Sequence, residues 1–294
     1  MKKFELTSET KINIFGKKLF RIKALISFAD VEAGETGGWV EKEGNVNQSG
    51  DAWVSGNAEV SDNAKVSGNA KVYGNAKVSG DAKVYGNAKV YGNAKVSGDA
   101  WVSGNAWVSG NAEVYGNAEV SDNAKVYGNA KVYGNAKVYG NAKVSGDAWV
   151  SGNAWVSGNA EVSGNAEVSG NAKVYGNAKV SGNAWVSGNA EVYGNAKVSG
   201  NAWVSGNAKV YGDAWVSGDA EVYGNADYTT IHGFGTQFRT TTFFRCKDKK
   251  VRVACGCFFG TIPEFREQVK NTRKGKIAEE YLMIADLMEK HFEK

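Results

Sequence analysis

The chain has 294 residues, 42% of them hydrophobic, with 38 glycines but a single proline, so it is neither a disordered linker nor a collagen-like segment. Its formal net charge of +4 is too small to argue for a general nucleic-acid-binding surface, which needs a dense basic stripe. Three cysteines, all between 246 and 257, are too few and too clustered for a secreted disulfide framework.

The opening MKKFELTSETKIN is basic but lacks the apolar core of a signal peptide. No apolar run approaches the roughly 18 residues a membrane helix needs. The expectation is a cytoplasmic protein with no membrane partner. Residues 1–50 read as an N-terminal β cap. Lys11 to Phe15, a Gly16-Lys17 turn and Leu19 to Leu25 suggest a hairpin, and Gly37, Gly38 and Trp39 lie near the join to the repeats. Such a cap covers strand edges that would otherwise invite fibre formation.

From Val54 to Val222 a valine stands at every sixth position without a skip, giving 29 repeats of G-[ND]-A-x-V-[SY]. Only Asp62 and Asp122 replace the expected glycine. Side chains alternate along a strand, so alanine and valine share one face while x and Ser/Tyr share the other. Gly-[ND] supplies a bend, because both residues tolerate positive φ. A period of six cannot be an α-helix. Three hexapeptides per turn make an 18-residue triangular coil, and 29 repeats make between nine and ten coils. At about 4.8 Å per coil the prism is about 45 Å long. Stacked corner asparagines are expected to form amide ladders. The order of residues resembles the hexapeptide-repeat family, whose coils are left-handed. That resemblance, and not the periodicity, supplies the handedness. The fold expected for residues 51–226 is therefore mainly β, a left-handed parallel β-helix.

The x position takes only Lys, Trp or Glu. Trp101, Trp107, Glu113, Glu119 and Lys125 to Lys143 are followed by the same order from Trp149, a 48-residue block that is not a multiple of 18. No face then receives a uniform column, which argues against an ice- or crystal-binding array. The eight outward tryptophans and eleven tyrosines suit a spacer, a stacking platform for sugars or bases, or self-association. Acyltransferases of the hexapeptide family, by resemblance, use a histidine base and an inserted loop. The array has no histidine, no cysteine and no insertion. Carbonic anhydrases on the same scaffold hold zinc with three histidines, and this chain has only His232 and His291. No enzyme activity, catalytic residue or cofactor is expected.

Residues 227–294 read as a small C-terminal α+β module carrying the net positive charge. Phe238 to Cys246 and Lys250 to Phe259 are expected as strands, with Val251, Val253, Cys255, Cys257 and Phe259 alternating, so that the last two cysteines face a core. Thr261 to Glu264 forms a capping box before a helix to Thr272. A second helix from Ile277 to Phe292 carries a stripe of Ile277, Tyr281, Ile284, Met288 and His291. His232, Gly233 and Gly235 with Arg239, Thr241 and Arg245 combine a glycine turn, hydroxyls and guanidiniums, a pattern suited to an anion or phosphate. Three thiols plus His232 are a weaker zinc candidate, and C-x-C is an uncommon ligand spacing.

KKFELTSETKINIFGKKLFRIKAL, DVEAGETGGWVEKE, the GNAKVYGNAKVS array and IHGFGTQFRTTTFFR…VACGCFFGT together resemble hexapeptide-repeat proteins of phages and prophages of low-GC Gram-positive bacteria. The resemblance implies a non-enzymatic protein, made in the host cytoplasm during infection or lysogeny. It implies a homotrimer that binds a host defence protein or a small nucleotide signal. The alternatives are a virion spacer and, less favoured, an acyltransferase.

Overall fold

A computed structural model describes residues 2–293. They fall into two compact units, one ending at Asn159 and the other beginning at Ala160. Both are built on the same coil. Each hexapeptide contributes a two-residue strand, x-Val, and then bends at Gly-Asn. Within each unit, strands 18 residues apart pair in parallel. In the first unit Lys71, Lys89, Trp107, Lys125 and Lys143 lie side by side. In the second the same holds for Glu161, Lys179, Lys197 and Trp215. Three repeats therefore make one turn of a parallel β-solenoid with three sheets.

Three backbone donors per repeat bond forward to the next coil. Lys71 N reaches Ala88 O at 2.9 Å, Tyr73 N reaches Val90 O at 3.0 Å and Asn75 N reaches Gly92 O at 2.8 Å. Every alanine and valine of the array is fully buried. Fully burying a side chain of valine size contributes about 1.5–3 kcal/mol.

The corner explains the glycine. Gly140 has φ +70°, and a Cβ there would stand 3.0 Å from Gly158 N and 3.1 Å from Gly158 O. Successive corners touch through backbone, which cannot yield. Asp62 and Asp122 adopt the same conformation at φ 59° and 58°. Their carboxylates accept the N–H of Gly80 at 3.2 Å and of Gly140 at 3.1 Å, a bond that glycine cannot make and that offsets the strain. The expected amide ladders are present. Nδ2 of Asn57, Asn75, Asn93 and Asn111 each donates to Oδ1 one coil on, at 3.3, 3.2, 3.1 and 2.9 Å.

The outward residues engage one another. A turn advances three letters through the eight-letter block, which sets lysine against tryptophan or glutamate. Lys89 and Lys125, one coil to either side, both lie over the Trp107 ring, at 5.3 and 4.7 Å, and Lys83 lies over Trp101 at 4.7 Å. Glu113 pairs with Lys95 at 2.9 Å and Glu119 with Lys137 at 3.4 Å. Tyr73 and Tyr91 stack at 4.9 Å. Trp53, expected outward, is only 4% exposed, because Phe4 and Phe28 of the cap pack edge-on against it.

The cap is a sheet of β1 (Phe4–Ile12), β2 (Lys18–Ala24) and β3 (Thr36–Val40). The expected hairpin is present, with a longer first strand. Pairing is antiparallel until β3, whose Trp39 and Val40 pair in parallel with Glu59 and Val60 of the first unit's coil. A coil beginning leaves carbonyls with no preceding donor. Trp39 N takes Ala58 O at 2.9 Å, Asn45 Nδ2 takes Ala64 O at 2.9 Å and Lys3 Nζ takes Ala52 O at 2.8 Å. In the second unit the last coil leaves donors instead. Lys209 N is met by Asn225 Oδ1 at 2.8 Å and Trp215 N by Thr242 Oγ1 at 2.9 Å.

The C-terminal module is a four-stranded antiparallel sheet in chain order, Tyr228–Phe234, Arg239–Arg245, Val251–Cys255 and Phe258–Thr261. Helices α1 (Ile262–Thr272) and α2 (Gly275–Phe292) pack on it. The sequence reading missed the first strand and ran the last two together. Gly256, at φ +63°, turns the chain after Cys255 and resets the alternation. Phe258 instead of Phe259 packs against the core, and Cys257 is exposed. The Thr261–Glu264 capping box forms as expected, with Thr261 N donating to Glu264 Oε2 at 2.7 Å. The α2 stripe ends on buried Phe292 and not on His291, because 288 to 292 continues the four-residue step. No helix among the described residues is long and apolar enough to cross a membrane.

Val138→Asp places an unpaired charge in the closed interior and is expected to destabilise its coils by about 4 kcal/mol or more. Lys137→Ala, outside, should cost about 1 kcal/mol or less. Hydrogen exchange of the flanking coils measures both. Lys3 gives a pH test. Burial holds its ammonium down to about 8, against 10.5 when free. Between those values the unfolded chain binds the extra proton, so stability should rise from about pH 8 toward 10.5. Because Cys246 titrates in the opposite sense above about pH 9, the Lys3 contribution is read as the difference between the urea midpoints of the wild type and Lys3→Met, which should grow from about pH 8 toward 10.5.

Candidate functional site

The six residues expected to bind a ligand do not converge. Thr241 is buried, and its hydroxyl donates to Cys255 Sγ at 3.1 Å. Arg245 is structural. Its Nη2 donates to Phe292 O at 2.6 Å, its guanidinium lies over the Phe292 ring and Asp227 stands 3.8 Å from Nε. Gly233 forms part of the irregularity that shifts register between Ile231 and Phe234. Gly235 is required by packing, since a Cβ there would meet the Tyr281 hydroxyl at 2.5 Å. That hydroxyl donates to Phe234 O at 3.2 Å. Gly235 is thus fixed by helix α2.

His232 and Arg239 do face cavities. His232 Nδ1 is 3.0 Å from Thr240 Oγ1, on the exposed side of the sheet. With Phe238, Thr240 and Arg239 it lines a cavity of about 450 Å³, whose other wall is Lys197, Asp213 and Trp215 of the last coils. Arg239 also lines a second cavity of about 510 Å³, enclosed by Gly235 to Gln237, the Cys255–Phe258 turn and the α1–α2 pair. Its floor is Phe258, Phe265, Val269 and Tyr281, and its rim carries Arg239, Arg273, Gln237 and Gln268.

Charge pairing separates this second cavity from the rest of the module. Arg252 pairs with Asp248 at 2.7 Å, and Arg266 pairs with Asp286 at 2.7 Å and Glu289 at 2.6 Å. Arg245 has Asp227. Of the five module arginines, Arg239 and Arg273 have no carboxylate partner among the described residues, and both line the same cavity. Two cations over an aromatic floor suit an anion with an apolar or planar body. Arg273 was missed in the sequence. Its signal is local: Lys270, Lys274 and Lys276 surround it, with no acid three or four residues away.

The zinc candidate is not assembled. Pairing of Thr241 with Cys255 and of Arg245 with Val251 sets Cys246 at the far end of the hairpin, and His232 lines the other cavity. Among the described residues no three His, Cys, Asp or Glu side chains are placed to hold a metal. Two carboxylates are held low by local contacts rather than by a site. The Arg252 hydrogen bond lowers Asp248, and the Thr261 amide lowers Glu264.

A sequence family described as YdcK Beta solenoid repeat matches residues 172–188, within the array. Among curated proteins none matches the chain. The likeness concerns the coil and not the module with its two cavities.

Burial pushes the Cys246 thiol up to about 11, from 9.0 when free. Iodoacetamide at pH 8 should therefore label exposed Cys257 first, half-buried Cys255 next and Cys246 last, as read by peptide mass mapping. Because the Cys246 pKa is raised in the fold, its contribution to stability is complete below about 9 and is lost as pH rises toward 11.

Proposed function

We propose that the protein is a non-enzymatic binding protein, in which the array is a spacer and the module captures a small anionic ligand. The observation that carries this reading is a pair of guanidiniums without carboxylate partners among the described residues, Arg239 and Arg273, over the aromatic floor of one cavity. The array supports the spacer role, because its outward lysines, glutamates and tryptophans engage one another between coils. The resemblance to phage-encoded hexapeptide proteins extends the reading. The ligand is then a host nucleotide signal, or the module docks on a host defence protein. The protein acts as a homotrimer in the cytoplasm of the infected cell.

Native mass spectrometry of gently purified protein tests this. The expected result is bound mass of a few hundred daltons, the size such a cavity accommodates. Arg239→Ala or Arg273→Ala should weaken binding by about tenfold or more, the loss typical of a charge-assisted contact. Arg245→Ala should loosen the module and leave the cavity contacts in place. Recovery of the wild type without added mass, from cells and after incubation with nucleotides, would remove the reading. The spacer role alone would then stand, with the protein present in purified virions.

A further inference from the structure

The cavity assigned to an anion also contains two thiols. Cys255 pairs with Phe258 across a two-residue turn, Gly256-Cys257, and both cysteines line the cavity. Gly256 has φ +63°, and a Cβ on it would stand 2.4 Å from Arg239 Nη1. The guanidinium therefore rests on the turn that bears both sulfurs, and only glycine leaves it room. The Thr241 hydroxyl donates to Cys255 Sγ at 3.1 Å. A half-buried thiol, an exposed thiol and a guanidinium with no carboxylate partner among the described residues thus share one cavity. The third cysteine is an internal contrast, because Cys246 is buried at the opposite end of the hairpin.

We propose that Cys257, supported by Cys255, makes this cavity a thiol–disulfide exchange site for a low-molecular-weight disulfide that carries carboxylates. The proposal rests on the anion-binding reading of the same cavity. Cys257 gives its proton to solvent, and its thiolate attacks one sulfur of the incoming disulfide. A Cys257–sulfur bond forms and the ligand's own S–S bond breaks. The departing half leaves as a thiolate and takes a proton from water. Cys257 is oxidised and the ligand disulfide is reduced. Arg239 and Arg273 hold the carboxylate of the captured half. Cys255 is close enough in sequence to displace that half in a second exchange, which leaves a Cys255–Cys257 bond and releases a second thiol.

The test uses reduced full-length protein with two symmetric disulfides of similar size, anionic dithiodiglycolate and cationic cystamine. Intact mass and peptide mapping follow the products. The expected result is one mercaptoacetate adduct on Cys257, or its resolved product two hydrogens lighter. It should form about tenfold or more faster than the cystamine product, as attraction by a lined cavity provides. Arg239→Ala and Arg273→Ala should each bring the two rates together, and Cys257→Ser, at an exposed turn, should abolish the adduct. Equal or faster reaction with cystamine overturns the proposal. So does labelling of Cys246 as fast as Cys257. If an anion still binds non-covalently in an Arg239-dependent manner, the exchange chemistry alone has failed. If neither adduct nor bound anion is found, the anion-binding reading has failed with it.

Discussion

Everything in the array depends on how closely one corner backbone sits on the next. At φ near +70° a Gly140 Cβ would press on the Gly158 amide, so the corner accepts almost nothing but glycine. That contact sets an 18-residue turn, and the turn sets what every other position meets. Alanine and valine close a narrow interior. Asparagine meets asparagine, and its amide is both donor and acceptor, so the ladder can continue. An aspartate can end a ladder by accepting, as Asp147 does from Asn129, but cannot pass it on. At the glycine position itself, Asp62 and Asp122 survive because their carboxylates recover a bond to the next coil.

The same hydrogen bonds have a direction, and the direction decides the chemistry of the two ends. Each coil donates forward from its N–H groups. The first unit therefore begins with orphan carbonyls, and its cap supplies donors: an amide, an asparagine side chain and the buried Lys3 ammonium. The second unit ends with orphan N–H groups, and the C-terminal segment supplies oxygens from Asn225 and Thr242. A buried lysine would be an unusual choice for a core. Here it replaces hydrogen bonds that a preceding coil would have made. The two end modules thus differ in composition for a reason that lies in the polarity of the strand ladder.

The module's candidate chemistry emerges from which of its charges are already paired. Arg245, Arg252 and Arg266 are committed to carboxylates or carbonyls, while Arg239 and Arg273 converge on one aromatic-floored cavity with two thiols at its edge. In the array, outward charges pair between coils, as Lys95 does with Glu113 and Lys137 with Glu119. The 48-residue block looks out of step with the 18-residue turn, yet the three-letter advance places Lys125 against Trp107 and Lys137 against Glu119. The cavity of about 510 Å³ is lined by residues of the module alone.

The sequence by itself determined the coil. A six-residue period with glycine at the bend and Ala and Val on one face dictates short strands joined by corners, so strands, corners and ladders were legible in the repeat alone, while the handedness was not. It also carried the hairpin of the cap, the Thr261 capping box and most of the α2 stripe, all of which depend on neighbours close in sequence. The candidate site was legible only in part. Arg239 and His232 face cavities as their residue types suggested, but Thr241 and Arg245 turned inward, because Cys255, Phe292 and Asp227 approach them from elements far along the chain. Gly235 was set by Tyr281, 46 residues on. Arg273 joined the cavity only because α1 ends beside the Gly256 turn. Local periodicity dictates an array in which each residue meets its own kind one turn later. In the module each side chain meets a different partner from a distant element, and only the tertiary structure decides which charges remain unpaired.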